Sequence, residues 1–459
     1  MIKISLIGAG SVVFSKQLMV DILSFPEFTD CTFCLEDIDS ERLGMIEKVA
    51  KMLVSQRNSR AKIEIVKTIK DAVISADFVI NMVQVGGFPS TLIDFEIPAE
   101  YGLKQTIADT MSVGGMFRAL RTMPVLDEIC LAIRQYNPEA TLLNYTNPMA
   151  MLSLYVQKKY PDIHYVGLCH SVQTTSKQLA LYLNIPYEEL QYKVAGINHQ
   201  AWFLELKYKG ENLYPQLLEL KRKIDENSNF VPEHLYAYKG KDSWFRENFK
   251  DSAAETFATD KVRFDMLGRL GYYVTESSEH NAEYCPYYLH DPKLVEEFRI
   301  PINEYIRRCQ INLKEFENIK ATIAAGKELH VDTSQEYAGF IIHSMVTGSK
   351  QTINGNVLNH GLITNLPQDC CVEVPCLIDR NGIQPTYIGK LPEQLAAYNR
   401  TNINVQMLTV SAVLEKDKSH IYQAVMMDPL ACSMVSLANM NKMVDALFEA
   451  HGDLIPYFK

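Results

Sequence analysis

The stretch Lys3-Ile-Ser-Leu-Ile-Gly-Ala-Gly-Ser-Val-Val13 decides the expected fold, because an apolar strand runs into a glycine turn and then into a helix. Gly8 allows the tight turn, and Gly10 lets backbone N–H groups approach a pyrophosphate at the helix N-terminus. Glu36-Asp37 ends the next apolar strand, where the ribose hydroxyls of a dinucleotide are read. The predicted dinucleotide-binding residues are Gly8, Gly10, Ser11 and Asp37.

The acidic end of the second strand also bears on which dinucleotide is bound. A carboxylate at Asp37 would repel a 2′-phosphate, so the sequence favours NAD over NADP. Val13 stands where the fingerprint has Gly or Ala, which places the helix slightly farther from the strand. A glycine turn that serves another ligand in an α/β fold is the alternative interpretation.

Apolar strands alternate with helical stretches through the first 195 residues, which predicts an α/β fold with a Rossmann-type, doubly wound parallel sheet. Beyond that point the alternation fades, and charged helical stretches mix with apolar segments such as Cys370–Cys376. We expect a nucleotide-binding domain over 1–195 and a second, α+β domain over 196–459, in an architecture like that of lactate and malate dehydrogenases. Six strands are expected within 3–10, 31–37, 62–68, 77–83, 141–145 and 164–167.

Composition limits the class of protein. The chain has 459 residues, an apolar fraction of 47% and a net charge of −10, and the charge disfavours nucleic acid or an anionic membrane as the main partner. Because no apolar run is long enough for a membrane helix and no secretory signal is visible, we expect a cytoplasmic protein. The ten irregularly spaced cysteines are expected to be reduced thiols.

A thiol and an imidazole follow two hydrophobic runs near the middle of the chain. Cys169 follows the sixth strand, and His199 lies in Gly196-Ile-Asn-His-Gln200. Since open α/β sheets bind ligands beyond the carboxyl ends of their strands, both should face the nicotinamide crevice. A metal held by this pair would keep positions open for substrate oxygens and water, which suits Lewis-acid catalysis. A buried free thiol and a hydrogen-bonded core histidine are the alternative.

Two further groups are candidates for proton transfer. His170 fits an acid or base, a substrate hydrogen-bond donor or a structural residue. The segment Gly271–Tyr284 contains three carboxylates, one histidine and three tyrosines, which suits proton transfer and sugar recognition. A solvated loop followed by a helix start is the alternative for this segment.

Together these segments resemble glycoside hydrolase family 4, the NAD- and divalent-metal-dependent glycosidases. Within that family the four residues from the metal cysteine follow substrate class, and Cys169-His-Ser-Val172 is similar to the α-galactosidases. Phospho-specific members also carry an arginine after the fourth strand, and Gln84–Leu103 contains none. The resemblance therefore implies an unphosphorylated α-galactoside of the melibiose or raffinose type. It covers essentially the whole chain and is carried by 8–11, 106–109, 144–149, 169–172, 196–199, 275–280 and 401–406.

The resemblance also implies residue roles. Cys169 and His199 would hold Mn²⁺ or a similar divalent ion. Asn147 and Asn198 would contact the sugar. A homodimer or homotetramer is the family expectation.

For the acid and the base, the resemblance places His170 in the proton-donor position. Family members differ in the base, which is a tyrosine in some and an aspartate a few residues later in others. This chain has Tyr272 and Tyr273, then Glu276 and Glu279, and no aspartate in that loop. Tyr273 is the expected base.

The implied route is redox-assisted elimination instead of displacement by two carboxylates. NAD⁺ removes a hydride from sugar C3, the metal polarises the ketone, and the base takes the acidified C2 proton as the C1 aglycone leaves. Water adds at C1 and NADH returns the hydride. The alternatives are an α-galacturonidase or α-glucosidase of the same family, and a plain NAD-dependent hydroxy-acid dehydrogenase.

Overall fold

The computed structural model describes residues 2–238, 252–334 and 336–458. The first half of the chain forms six parallel strands in the order β3-β2-β1-β4-β5-β6, the order of two joined mononucleotide-binding units. The predicted doubly wound parallel sheet is confirmed, and each strand lies inside its expected range. The strands are β1 Lys3–Ile7, β2 Thr32–Glu36, β3 Lys62–Val66, β4 Phe78–Asn81, β5 Thr141–Asn144 and β6 His164–Gly167.

Helices cover both faces of this sheet. Val79 and Leu142 belong to one buried apolar cluster, whereas their chain neighbours Ile80 and Leu143 belong to another. Successive strand residues point to opposite faces, so the two clusters lie on opposite sides of the sheet. The helices of this half are α1 Val12–Leu23, α2 Ser40–Gln56, α3 Ile69–Val73, α4 Gly87–Glu100, α5 Ser112–Tyr136, α6 Met149–Lys159 and α7 Ser171–Tyr182.

The sheet does not end at β6 but continues into the second half of the chain. A strand of that half, β10, pairs antiparallel with β6 through Asn356 and Gly167, and the order then runs β10-β11-β7-β8-β9, with β12 beside β11. The expected boundary after residue 195 falls inside β7, and the division into two domains stays a prediction. These strands are β7 Leu190–Ile197, β8 Gln200–Tyr208, β9 Glu211–Asn212, β10 Gln351–Leu358, β11 Cys371–Asp379 and β12 Gly382–Pro385.

The last helix of the chain fastens the second half to the first. His451, at the end of α19, has Nε2 3.0 Å from the Asp94 carboxylate of α4, which is also bound by Arg121 of α5.

Within the described ranges no helix is long and apolar enough to cross a membrane, and all ten cysteines are free thiols. The remaining helices are α8 Tyr214–Glu226, α9 Glu233–Ala237, α10 Ala253–Thr259, α11 Lys261–Leu270, α12 Ser278–Glu283, α13 Pro292–Glu297, α14 Glu304–Ala324, α15 Tyr337–Thr347, α16 Glu393–Glu415, α17 Ser419–Met427, α18 Pro429–Met434 and α19 Leu437–His451.

Candidate active site

Three buried side chains bring a thiol, an imidazole and a carboxylate together just beyond β6. Cys169 Sγ lies 3.0 Å from Nε2 of His199. The Oε2 atom of Glu276 lies 3.7 Å from the same nitrogen and 3.9 Å from the sulfur. Their ligand atoms all fall within 4.8 Å of one another. Sulfur, nitrogen and oxygen donors at these spacings fit a divalent transition-metal ion.

Each of these three side chains is positioned by the sheet or by a segment paired with it. Cys169 follows β6, and His199 lies in the turn between β7 and β8. The segment before Glu276 is tied to β8, because Thr275 N donates to the Ala201 carbonyl and Thr275 Oγ1 accepts from Ala201 N. The predicted Cys169–His199 pair is therefore brought together by the fold, with Glu276 beside it.

A hydroxyl group sets which nitrogen of His199 faces the cluster. Thr110 Oγ1 donates to Asp109 Oδ1 at 2.9 Å and lies 2.9 Å from His199 Nδ1. Because its single hydrogen is used by Asp109, the hydroxyl oxygen accepts the Nδ1–H. The lone pair of Nε2 then points toward Cys169, which is the tautomer that a metal ligand requires.

The thiol of Cys169 is buried at a position where its deprotonated form needs a nearby positive charge. Burial raises the pKa of Cys169 to about 12, and the Glu276 carboxylate acts in the same direction. A thiolate here is therefore unfavourable unless a positive charge compensates it. A divalent ion supplies that charge, so the electrostatics of the cluster fit the donor set.

The two asparagines expected to contact a sugar follow the strands β5 and β7. Asn147 follows β5, its Nδ2 donates to Asp109 at 3.0 Å, and its carbonyl accepts from Arg118. Asn198 directs Nδ2 toward Glu373 of β11, at 3.5 Å. The Oδ1 atoms of both asparagines are buried and form no hydrogen bond within the described residues. They are acceptors available to a ligand that carries hydroxyl donors.

His170 lies beside the cluster at the start of α7 and is about half exposed, with 52% of its side-chain surface accessible. Its Nδ1 lies 3.4 Å from Oε1 of Glu336. Desolvation lowers the pKa of His170, whereas the hydrogen bond to Glu336 and the charge of that carboxylate raise it. The effect of Glu336 is larger, so the pKa of His170 is raised well above its ordinary value. An accessible imidazole that keeps its proton near neutral pH is suited to donate it.

Tyr273 is buried, and the ion pair of Asp260 and Arg263 links it to the backbone of Glu276. The hydroxyl of Tyr273 donates to Asp260, and the same carboxylate binds Arg263. Burial raises the pKa of Tyr273 well above its ordinary value. Arg263 also donates to the Glu276 carbonyl at 2.6 Å. The assignment of Tyr273 as base stays a prediction, and in this structure its hydroxyl is engaged by Asp260.

The predicted nucleotide turn is formed as a compact unit. Gly8 has φ +79°, a conformation that favours glycine, and its carbonyl accepts from Ser11 N at 3.1 Å. Gly10 N donates to Asp37 Oδ2 at 2.7 Å. Asp37 therefore ties the end of β2 to the glycine turn, and its carboxylate keeps lone pairs that ribose hydroxyls could use.

Several polar residues of the site were not assigned a role from the sequence. Glu373 is a carboxylate that stands between the apolar residues Val372 and Val374 of β11, and a charge inside an apolar run is a usable signal. It is fully buried, and burial raises its pKa to about 7. Thr110 and Glu336 gave no signal, because each reaches the site from a loop or helix end whose placement depends on long-range packing. Glu276 was considered only as a proton acceptor.

The chain matches a known family of enzymes over most of its length. The model of the family 4 glycosyl hydrolases matches residues 3–185, and that of the family 4 glycosyl hydrolase C-terminal domain matches 194–431. The chain is 43% identical to the α-galactosidase of Bacillus subtilis, with all of both chains covered. It is 29% identical to an α-galacturonidase of Thermoanaerobacterium saccharolyticum, with 98% of this chain and 95% of that one covered.

Solved structures share the fold over the whole length. The lplD protein of Bacillus subtilis has 28% identity and a TM-score of 0.84, with 97% of this chain and 99% of that one covered. A 6-phospho-α-glucosidase from gut microorganisms, solved in complex with NAD and Mn²⁺, has 22% identity and a TM-score of 0.79 over all of both chains.

Proposed function

Because the chain belongs to family 4 of the glycosyl hydrolases, we propose that it is an α-galactosidase that cleaves unphosphorylated α-galactosides and uses NAD with a divalent ion such as Mn²⁺. The observation that carries the proposal is the buried group of Cys169, His199 and Glu276. It lies beyond the carboxyl end of a parallel strand, in the crevice where a dinucleotide bound at Gly8 would place its nicotinamide.

The preference for a neutral galactoside rests on three observations. Cys169-His-Ser-Val172 is similar to the α-galactosidase motif, and the segment Gln84–Leu103 has neither Lys nor Arg to bind a substrate phosphate. The relative with 43% identity is an α-galactosidase. An α-galacturonidase is the alternative within the family, since relatives of that class match at lower identity.

Each residue of the site has a separate role in the proposed reaction. Cys169, His199 and Glu276 would hold the ion, while Asn147 and Asn198 accept hydrogen bonds from sugar hydroxyls. When bound, NAD would exchange a hydride with sugar C3, and the ion would polarise the resulting carbonyl. His170 would give its proton to the oxygen that leaves C1. Cys169, His199 and Glu276 are buried, so bulk water does not weaken the polar contacts among them.

The base that removes the C2 proton can be assigned by experiment. We expect Tyr273→Phe to slow exchange of the C2 hydrogen with solvent deuterium, and Glu276→Gln is the comparison variant in the same loop. Exchange at the wild-type rate in Tyr273→Phe, together with its loss in a metal-loaded Glu276→Gln enzyme, would move the assignment to Glu276. Mn²⁺ content is measured in both variants so that loss of the ion is not mistaken for loss of the base.

The overall function is tested by hydrolysis of nitrophenyl α-galactoside in the presence of NAD⁺, Mn²⁺ and a reductant. We expect omission of any of the three from protein stripped of cofactors to abolish cleavage, with no net NADH formed. Deuterium at C3 should give a primary isotope effect. Full activity without nicotinamide would contradict the proposal, and stoichiometric NADH from a hydroxy acid would favour the dehydrogenase alternative.

Substrate class is tested with the same enzyme on three nitrophenyl glycosides. We expect kcat/KM for the α-galactoside to exceed that for the α-glucoside and the α-galacturonide by at least about tenfold. A preference for the α-galacturonide would agree with the proposed reaction but would show that the substrate is a galacturonide and not a galactoside.

A further inference from the structure

A second concave site, outside the cluster described above, reaches the helix that begins directly after His170. It is a cavity of about 470 Å³ between β7, β10 and the N-terminal part of α15, beside the first turn of α7. Cavities of this size hold ligands of one or two sugar rings. Its lining side chains used below are Gln173, Tyr187, Tyr192, Tyr337, Gln351 and Asn354.

The cavity wall contains residues that are close in sequence to the expected proton donor, His170, and to its partner Glu336. Gln173 lies three residues after His170 at the start of α7, and residues at this spacing share one helix face. Tyr337 directly follows Glu336, whose carboxylate contacts His170. A leaving group that receives a proton from His170 would therefore extend toward this cavity.

The cavity also shares a strand with the active site. Tyr337 is 5% exposed. Asn354, which also lines the cavity, donates to the Val194 carbonyl of β7 at 3.1 Å. The same strand continues to Ile197 and leads directly to Asn198 and His199 of the active site.

The chemistry of the lining suits an uncharged polyol. Among the lining residues that the structure describes, none is Asp, Glu, Lys, Arg or His. The walls combine tyrosine rings with glutamine and asparagine amides. Aromatic rings pack against the C–H faces of a sugar, while amides and tyrosine hydroxyls bind its hydroxyl groups. The lining side chains themselves supply no counter-charge to a phosphorylated or carboxylated sugar.

We propose that this cavity is the subsite for the leaving group, and that it binds a neutral sugar, a hexose or a disaccharide, attached to the galactose that is cleaved. The inference rests on the proposed function, because it takes the site beside it as the place where the galactoside is cut. It makes the enzyme one that selects glycosides by their leaving sugar as well as by their galactose.

The proposal is tested by comparing two substrates that share galactose and differ in the leaving group, melibiose and methyl α-galactoside. For Tyr192→Ala and Gln351→Ala we expect kcat/KM on melibiose to fall by roughly tenfold, with less than about twofold change on the methyl glycoside. Tyr192→Phe keeps the ring and should retain most of the melibiose activity. Tyr387→Ala, at a tyrosine with 69% exposure outside the cavity, is the matched control and should change neither value.

An equal loss on both substrates, or no loss on melibiose, would overturn the proposal. A wild-type enzyme that cleaves neither substrate would instead refute the proposed function, and the cavity is then tested by binding alone. In that case ligand-observed NMR with glucose should detect contact that Tyr192→Ala abolishes. Glucose binding that is undetectable, or unchanged in the variant, would overturn the subsite as well.

Discussion

At the scale of single residues, the hydroxyl of Thr110 orients a ring 89 residues later in the chain by accepting the Nδ1–H of His199. We expect Thr110→Val, which keeps the side-chain shape, to lower the affinity for Mn²⁺ by about 10- to 100-fold, because the ring loses its fixed tautomer. Thr110→Ser restores the hydroxyl and is the matched control. Isothermal titration of the metal-free protein measures the effect, and a Thr110→Val protein with wild-type affinity would show that Tyr284 alone, whose hydroxyl lies 3.3 Å from the same nitrogen, suffices.

The raised pKa of Cys169 predicts how metal binding depends on pH. In the metal-free protein the thiol is protonated near neutral pH, since burial raises its pKa to about 12. Binding as a thiolate must displace that proton, so Mn²⁺ affinity should rise about tenfold per pH unit as pH increases through neutrality. Titrations in buffers of different ionisation enthalpy count the released protons. Cys169→Ser should flatten the dependence and Cys432→Ser, at an exposed thiol, should leave it unchanged.

Residues of the site were predictable where local sequence fixes their place. Cys169 and Asn147 directly follow apolar strands, so the rule for parallel sheets brings them to one crevice. Glu336 and Glu373 come from the distant second half of the chain and reach the site through antiparallel pairing and the placement of α15. No local pattern encodes such contacts, which is why the sequence left them without a role.

At the scale of elements, the start of helix α5 packs unusually close to the loop that carries Thr110. A Cβ atom on Gly115 would meet the Thr110 backbone carbon at 2.8 Å. We expect Gly115→Ala to displace this loop, destabilise the fold by about 1–3 kcal/mol and weaken Mn²⁺ binding through His199. Urea unfolding and metal titration measure the two effects.

A second glycine provides the control for that change. A Cβ on Gly44, in the interior of α2, would meet nothing within 4 Å. Gly44→Ala should therefore raise stability by up to about 1 kcal/mol through helix propensity and leave metal affinity unchanged. Weakened Mn²⁺ binding in Gly44→Ala would show that helix substitutions act on the site without the Thr110 contact.

Among the elements, the parallel strands were predicted well and their antiparallel extension was not. Each parallel strand is an apolar run bounded by turn residues, and these runs alternate with helical stretches, so its existence is local information. The pairing of β6 with β10 joins Gly167 to Asn356, which lie far apart in the sequence. Strand neighbours of this kind depend on packing and are not encoded in residue periodicity.

At the scale of the whole molecule, both halves contribute to one sheet and to one buried cluster. Val166 and Leu168 share that cluster with Val372 and Val374 of the second half. We therefore expect one cooperative unfolding transition in urea, with coincident curves from far-UV circular dichroism and tyrosine fluorescence. Two separated transitions would show that the halves on either side of residue 195 are independent folding units.

The shared sheet has a consequence for exchanging parts between relatives. A hybrid enzyme could combine the N-terminal half of one glycosidase with the C-terminal half of another. The two halves would then meet where β6 pairs with β10. At this contact the side-chain amide of Asn356 donates to the Gly167 carbonyl at 3.2 Å. A Cβ on Gly355 would also meet Val166 at 2.8 Å. Hybrids designed for new sugar preferences must therefore keep the residues of this close contact between β6 and β10. Otherwise the sheet beneath the active site is disrupted before the substrate preference changes.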